Sequence, residues 1–246
     1  MSTATRESTS SASKPQMEAS ASIYNKFGLS IYDILVLTIS NIFAWRCQTG
    51  DVLLPFYKQH IGQSAHLEIG VGTGYYPAAS VQTLAKTKVV TLLDLNPNTL
   101  VMAQQRLAYA GYKGEIELIE HNIFQPLPTN MGGKYESVAL FYVFHCLPGS
   151  LPKKATDVFT VIAPVLSPGA VVYGATILGS GVSHNWLGTR LMGIYNKKGI
   201  FGNVADSEEG LREALRESFE QWEVRVVGVV GLFEARKPKG VPSVKL

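Results

Sequence analysis

The segment HLEIGVGTGYYP, residues 66–77, places Gly70, Gly72 and Gly74 at alternate positions directly after an apolar run that ends in Glu68 and Ile69. Glycine loses more backbone freedom on folding than any other residue, so three in such close succession imply a backbone that must turn, or approach a ligand, where a Cβ would collide. In an open parallel sheet such a turn lies beyond the carboxyl end of a strand, where ligands bind, and the helix that follows adds a dipole favourable to a negative group. A dinucleotide fingerprint G-x-G-x-x-G beginning at Gly70 needs its third glycine at position 75, and that position is Tyr75. The spacing is instead E-x-G-x-G-x-G. Asp94 closes the next apolar run in TLLDLNPN, where a carboxylate can accept two hydrogen bonds from a ribose diol. A nicotinamide-dependent reductase is further disfavoured, because the one Tyr-x-x-x-Lys pair, Tyr109 to Lys113, precedes the third strand.

The elements that must position these residues can be read from the pattern of apolar runs. Those suited to buried parallel strands fall at 65–69, 88–93, 116–120, 136–143 and 170–177, with helical stretches between most of them. Asn96-Pro97 is a helix start, an N-cap residue followed by proline at the first helical position. Asp206 to Glu209 is a capping-box-like pattern that opens a second helix, and residues 51–61 are helical as well. WEVRVVGV and VGLFEARK, joined by almost nothing, predict a closing antiparallel hairpin at a sheet edge. The expected architecture is α/β, a doubly wound seven-stranded sheet with a C-terminal hairpin. Residues 1–22, almost entirely Ser, Thr, Ala and charged, are expected to be a disordered tail, and 23–246 one domain with a helical cover over 23–61 and an α/β core over 62–238. The apolar stretch 29–45 is interrupted by Asp33 and Asn41 and falls short of the roughly 20 residues a bilayer span needs, so it reads as a helix against the protein or over a ligand.

At the glycine turn and Asp94 the sequence resembles the class I S-adenosylmethionine-dependent methyltransferases, over roughly Tyr24 to Lys237. The resemblance implies that Gly70, Gly72 and Gly74 line the methionine and ribose part of the cofactor and that Glu68 helps orient its amino group. Asp94 would hold the ribose hydroxyls, with Leu95 against the adenine. Asn122, followed by Ile123, stands where the family commonly has an acidic residue facing the adenine amine; an asparagine oxygen can accept from that amine too. YDILVLTISNIFAWRC and YNKKGIFGNVADSEEGLREAL are similar to a subgroup of small methyltransferases of bacteria and fungi.

Methyl transfer from a sulfonium is an in-line displacement, so the protein mainly aligns the nucleophile and excludes water, and a base is needed only for a protonated acceptor. His145, in LFYVFHCLPG at the end of the fourth strand, is the natural candidate base, and His184 the second. Phe141 from that strand end, Trp186 and Tyr195 from the long segment after the fifth strand, and Tyr24 and Tyr32 from the helical cover are the candidate substrate walls.

The net charge of +3, with Lys and Arg scattered, does not form the basic face that would track nucleic acid. No metal is expected: FYVFHCLPG has no acidic ligands of the catechol-type enzymes, and the five histidines show no ligand spacing. Cys47 and Cys146 read as reduced thiols of a cytoplasmic protein. The expected function is metal-independent methyl transfer to a small, fairly apolar molecule of secondary metabolism, with no membrane span and an oligomeric state the sequence does not reveal. Two alternatives share the same cofactor site: a relative catalysing cyclisation or rearrangement, and a non-catalytic S-adenosylmethionine-binding module.

Overall fold

The computed structural model describes residues 40–240; the expected tail, most of the first helix, Tyr24 and Tyr32 lie outside the described residues. The apolar runs become β1 (Ala65–Ile69), β2 (Val89–Asp94), β3 (Glu115–Glu120), β4 (Tyr135–Phe141) and β5 (Leu166–Ile177), all mutually parallel. β6 (Phe219–Val227) and β7 (Val230–Pro238) form the antiparallel hairpin, and β7 pairs antiparallel with β5. The order is β3-β2-β1-β4-β5-β7-β6. The chain therefore works outward from β1 and then returns to its other side at β4, which makes the gap between these two strands the topological switch point where α/β sheets bind ligands.

The helices are α1 (Leu54–Gln59), α2 (Tyr75–Ala79), α3 (Val81–Leu84), α4 (Pro97–Tyr109), α5 (Lys153–Ile162), α6 (Trp186–Lys197) and α7 (Glu208–Ser218). Strand alternation sends Leu67, Val138, Leu140 and Val172 to one face, where Phe159 of α5 and Leu211 of α7 cover them. The intervening residues Ala139, Phe141, Tyr173 and Ala175 face Trp45 and Tyr57 on the other side. Val90 and Leu92 lie on that second face beneath Leu100, Ala103 and Leu107 of α4. Burying each large apolar side chain of this kind contributes roughly 1.5–3 kcal/mol relative to leaving it in water.

Several boundaries differ from the sequence expectation. The helix expected over 51–61 is a wider turn, Thr49–Leu53, continued by the short α1. β5 begins at Leu166 because that residue pairs with Tyr135, across an irregularity in register. β4 stops at Phe141 because Tyr142 takes φ +61°, outside any strand conformation. Asn96 caps α4 as expected, its side chain accepting from Asn98 N–H at 3.0 Å. The cap of α7 is Ser207, which accepts from Gly210 N–H at 3.1 Å, whereas Asp206 is drawn inside to Lys154, 2.6 Å away. The hairpin turns at Gly228 and Val229, and a Cβ on Gly228 would fall 2.1 Å from the Trp45 carbonyl oxygen. That close approach, with Val229 N–H donating to the same oxygen at 3.0 Å, fastens the segment after residue 44 to the sheet. No helix among the described residues is long and apolar enough to cross a membrane.

Candidate active site

Residues just beyond the carboxyl ends of four neighbouring strands line one cleft, whose empty volume with its open mouth is ≈ 820 Å³. From one end to the other the order follows the sheet. Asn122 and Ile123 come after β3, Asp94 and Leu95 close β2, Gly70 and Gly72 follow β1, and Tyr142, Cys146 and Leu147 follow β4. Six of the eight residues expected to hold the cofactor thus meet in this cleft, and Glu68 and Gly74 do not line it.

The three glycines divide the work of the turn. All have positive φ, +65°, +53° and +71° for Gly70, Gly72 and Gly74. A Cβ on Gly70 would lie 2.8 Å from a Val143 methyl, and one on Gly74 would lie 2.7 Å from the Ala103 backbone in α4. A Cβ on Gly72 would meet nothing within 4 Å. Gly70 and Gly74 therefore serve chain packing, and Gly72 opens the backbone to the cleft. The helix dipole expected behind the turn shrinks to little, because α2 is five residues long and ends at Ala79.

Asp94 accepts from Asn96 N–H at 3.0 Å through Oδ1 and from Gly72 N–H at 3.4 Å through Oδ2. The carboxylate is thereby tied to the glycine turn while retaining lone pairs for a ligand. Burial pushes its pKa above the ordinary aspartate value, and the hydrogen bonds from Asn96 and Gly72 oppose that shift. Asn122 folds its Oδ1 onto Phe124 N–H at 3.0 Å, which fixes the turn after β3 and leaves one lone pair on that oxygen. An open glycine backbone, an anchored carboxylate and the apolar Leu95 and Ile123 in one cleft fit a nucleoside-bearing cofactor.

Glu68 turns to the opposite side of the strand tip. It is buried, and its Oε1 accepts from the Tyr57 hydroxyl and from His66 Nε2 at 2.7 Å. Thr99 and His121 also line the cleft and were not singled out in the sequence. Thr99 was legible, since a helix capped at Asn96 points its first turn to the same side as the strand end.

The catalytic and substrate candidates scatter. His145 is buried beside the cleft wall, its Nδ1 accepting from Ile177 N–H at 3.3 Å, with Phe201 packed edge-on at a 4.5 Å centroid distance. Burial, and then the charge of Lys154, lower its pKa to about 3. It is neither at the cleft surface nor basic enough to collect a proton near neutrality. His184 lies in the loop before α6 with Nε2 2.9 Å from the Leu178 carbonyl oxygen, and it does not line the cleft either. Phe141 is packed with Tyr57 and Tyr76 beneath the glycine turn. Tyr195 packs on Phe201, and Trp186 is 76% exposed. The aromatic residue that does line the cleft is Tyr142, which has φ +61° and whose hydroxyl donates to Asn41 Oδ1 at 2.8 Å. No group of three or more His, Cys, Asp or Glu that could hold a metal occurs among the described residues.

Comparison with known proteins agrees with this geometry. The family described as "Methyltransferase domain" matches residues 67–172, from within β1 into β5. The "Physcion biosynthesis cluster O-methyltransferase" of Aspergillus chevalieri is 43% identical over 222 residues, 90% of this chain and 96% of that one. "Methyltransferase verB" of Penicillium polonicum is 39% identical, over 90% of this chain and all of its own length. Among solved structures, the DhpI–SAH complex superposes with a TM-score of 0.63 at 16% identity, covering 92% of this chain and 98% of that one, a likeness of fold. Identity at this level over nearly the full length, on a cleft built for a nucleoside, means that the chain belongs to the class I S-adenosylmethionine-dependent methyltransferases and uses S-adenosylmethionine as its methyl donor.

Proposed function

We propose that this methyltransferase acts on an acidic hydroxyl, a phenol or an enol, of a small and fairly apolar molecule of secondary metabolism. The observation that carries this is the makeup of the β4 end of the cleft, where Tyr142, Val143, Cys146 and Leu147 present an apolar wall. Burial pushes the Cys146 thiol up to about 12, so it neither accepts a proton nor acts as a nucleophile near neutrality. With His145 lowered to about 3, no described residue at that end is a base of near-neutral pKa. An acceptor that ionises on its own needs none. The O-methyl transfer named for the Aspergillus chevalieri relative supports the same reading.

The cofactor supplies a methyl group already activated by the positive charge on sulfur. The chain supplies position. Asp94 and Asn122 hold the nucleoside at the β2 and β3 tips, and Gly72 lets it approach the backbone. Tyr142 and Leu147 seat the apolar body of the acceptor and keep water from its oxygen. Buried Asn41 holds Tyr142 in place, receiving its hydroxyl and donating through Nδ2 to Thr49 Oγ1 at 2.8 Å. The two free cysteines, Cys47 and Cys146, suit a reducing cytoplasm.

The test is incubation with methyl-labelled S-adenosylmethionine and a panel of small apolar phenols and enols, each paired with the matching aliphatic alcohol and amine. Labelled product should form from the ionisable hydroxyls. Preferential labelling of the alcohols or amines would overturn the proposal, and cofactor binding without any labelled product would favour a binding module.

A further inference from the structure

Lys153 and Lys154 open α5 side by side, and the fold treats them as opposites. Lys153 is exposed and pairs along its own helix with Asp157 at 2.7 Å. Lys154 has 1% of its side chain accessible and lies against Asp206, which is fully buried. Taking two charges out of water is costly, and apolar side chains of similar volume often serve stability as well, so the pair calls for another account. Its partners supply one. The Lys154 ammonium, 2.6 Å from Asp206 Oδ2, donates to the Gly202 carbonyl oxygen at 2.9 Å and to that of Leu147 at 3.4 Å. Asp206 Oδ1 accepts from Leu151 N–H at 3.0 Å, and its backbone carbonyl accepts from Gly179 and Ser180 N–H at 2.8 and 2.9 Å. Gly202 N–H in turn donates to the His145 carbonyl oxygen at 2.8 Å. Residues 145–151 after β4, 179–180 after β5 and 202–206 before α7 are thus joined around one buried ion pair. Cys146 and Leu147 line the cleft, whereas Lys154, Gly202 and Asp206 stand behind them.

We infer that Lys154 and Asp206 are positioning residues for methyl transfer: through the carbonyls of Leu147 and Gly202 they fix the loop after β4, and with it the Cys146–Leu147 wall against which the acceptor lies. This rests on the proposed assignment of that end of the cleft to the acceptor. The pair acts from behind the wall, so it governs the acceptor and not the nucleoside end, where Gly72 and Asp94 belong to other strand tips.

The experiment takes the best acceptor of the labelled panel and measures S-adenosylhomocysteine affinity alongside by calorimetry. Lys154→Met combined with Asp206→Asn removes both charges together, so neither is stranded, and the asparagine oxygen still accepts from Leu151 N–H. What is lost is the ammonium's hold on Leu147 and Gly202. KM for the acceptor should rise about tenfold, the scale of one charge-assisted hydrogen bond, with S-adenosylhomocysteine affinity unchanged. Asp206→Asn alone strands the lysine charge but keeps the ammonium on both carbonyls, so it should lower the melting temperature more than the double variant does and raise KM less. An unchanged KM in the double variant, equal weakening of acceptor and cofactor, or a KM that follows the melting temperature across the two variants would reduce the pair to a structural role and overturn the inference. A measurement on the wild type stands even where a variant fails to fold. With S-adenosylhomocysteine present, adding the acceptor should slow hydrogen exchange in a peptide spanning 199–206, although none of those residues lines the cleft. Slowing confined to 142–147 would also overturn the inference. A wild-type protein that labelled no acceptor of the panel would instead overturn the proposed function, and this inference with it.

Discussion

The two ends of the cleft are built by different means. At the end proposed for the nucleoside, Gly72, Asp94 and Asn122 each sit at or just beyond the end of a parallel strand, and backbone N–H groups of these adjacent turns, two residues on at Asp94 and Asn122 and across the neighbouring strand from Gly72 to Asp94, hold the side chains. At the acceptor end, Tyr142 depends on Asn41, a hundred residues earlier, and on a backbone conformation that β4 does not extend to. The first end is a property of the sheet, so any chain with that strand order and those turn residues has it. The second end is assembled from remote segments whose meeting no local pattern announces.

The sharpest way to break the comparison is to move bulk into the nucleoside end. Gly72→Val places a branched side chain in the open cleft and on a backbone of φ +53°, where such residues cost about 1–2 kcal/mol. Cofactor binding should disappear in calorimetry while the protein remains folded by circular dichroism. Gly74→Ala should do the reverse. Its Cβ would press on the Ala103 backbone 2.7 Å away, so the melting temperature should fall more than the affinity does. If both variants lost binding and stability in the same proportion, the division of labour among the glycines would be wrong.

A smaller effect is expected at Asp94. Asp94→Asn keeps the shape but loses charge-assisted hydrogen bonds, each worth about 1.5–3 kcal/mol, so affinity for S-adenosylhomocysteine should drop about 10- to 100-fold. The pH dependence supplies a second check. Burial raises the folded-state pKa, so the folded protein holds this proton more tightly than the unfolded chain does. Asp94 then favours the folded state below its raised pKa, and that contribution is lost as pH rises through it. Ribose hydroxyls that donate to the carboxylate favour the ionised form. Affinity should therefore weaken as pH falls through the raised value, and Asp94→Asn should flatten that dependence.

How much of this was legible follows from the same contrast. The glycine turn, Asp94, the capped start of α4 and the closing hairpin were readable because each is a local signal with a fixed relation to a strand end. His145 and His184 were read as bases from residue type and loop position, but what decides is the direction of the side chain, and both point into protein. Phe141 and Tyr142 show the same limit across one peptide bond, the first under the turn and the second in the cleft. The network around Glu68 left a partial trace. Two polar residues at alternate positions of an otherwise apolar buried strand announce that partners exist, while naming Tyr57 and Ser137 requires the fold.

The acceptor end can be sharpened by a milder change. Tyr142→Phe removes the bond to Asn41, worth about 0.5–1.5 kcal/mol, and leaves the ring as a wall. KM for a phenolic acceptor should rise about 2- to 10-fold, and the affinity for S-adenosylhomocysteine should stay as it was. A change confined to the cofactor would place Tyr142 at the wrong end of the cleft.

The smallest effect on function is expected at His145, and it separates a buried imidazole from a base. Its folded-state pKa of about 3 lies below the ordinary 6.5, through burial first and the Lys154 charge second. As pH falls from about 6.5 toward 3 the unfolded chain takes up a proton that the folded protein refuses, so His145 costs stability progressively across that window. His145→Gln has nothing to titrate there, and its urea midpoint should fall less steeply with acid than that of the wild type. At neutral pH the variant should bind cofactor and turn over a phenolic acceptor at nearly the wild-type rate, with the same acidic limb in its pH profile, since that limb belongs to the acceptor's own hydroxyl. A variant that lost its rate together with that limb would show that His145 does collect the acceptor's proton, and the burial that separates it from the cleft would then have to open during turnover.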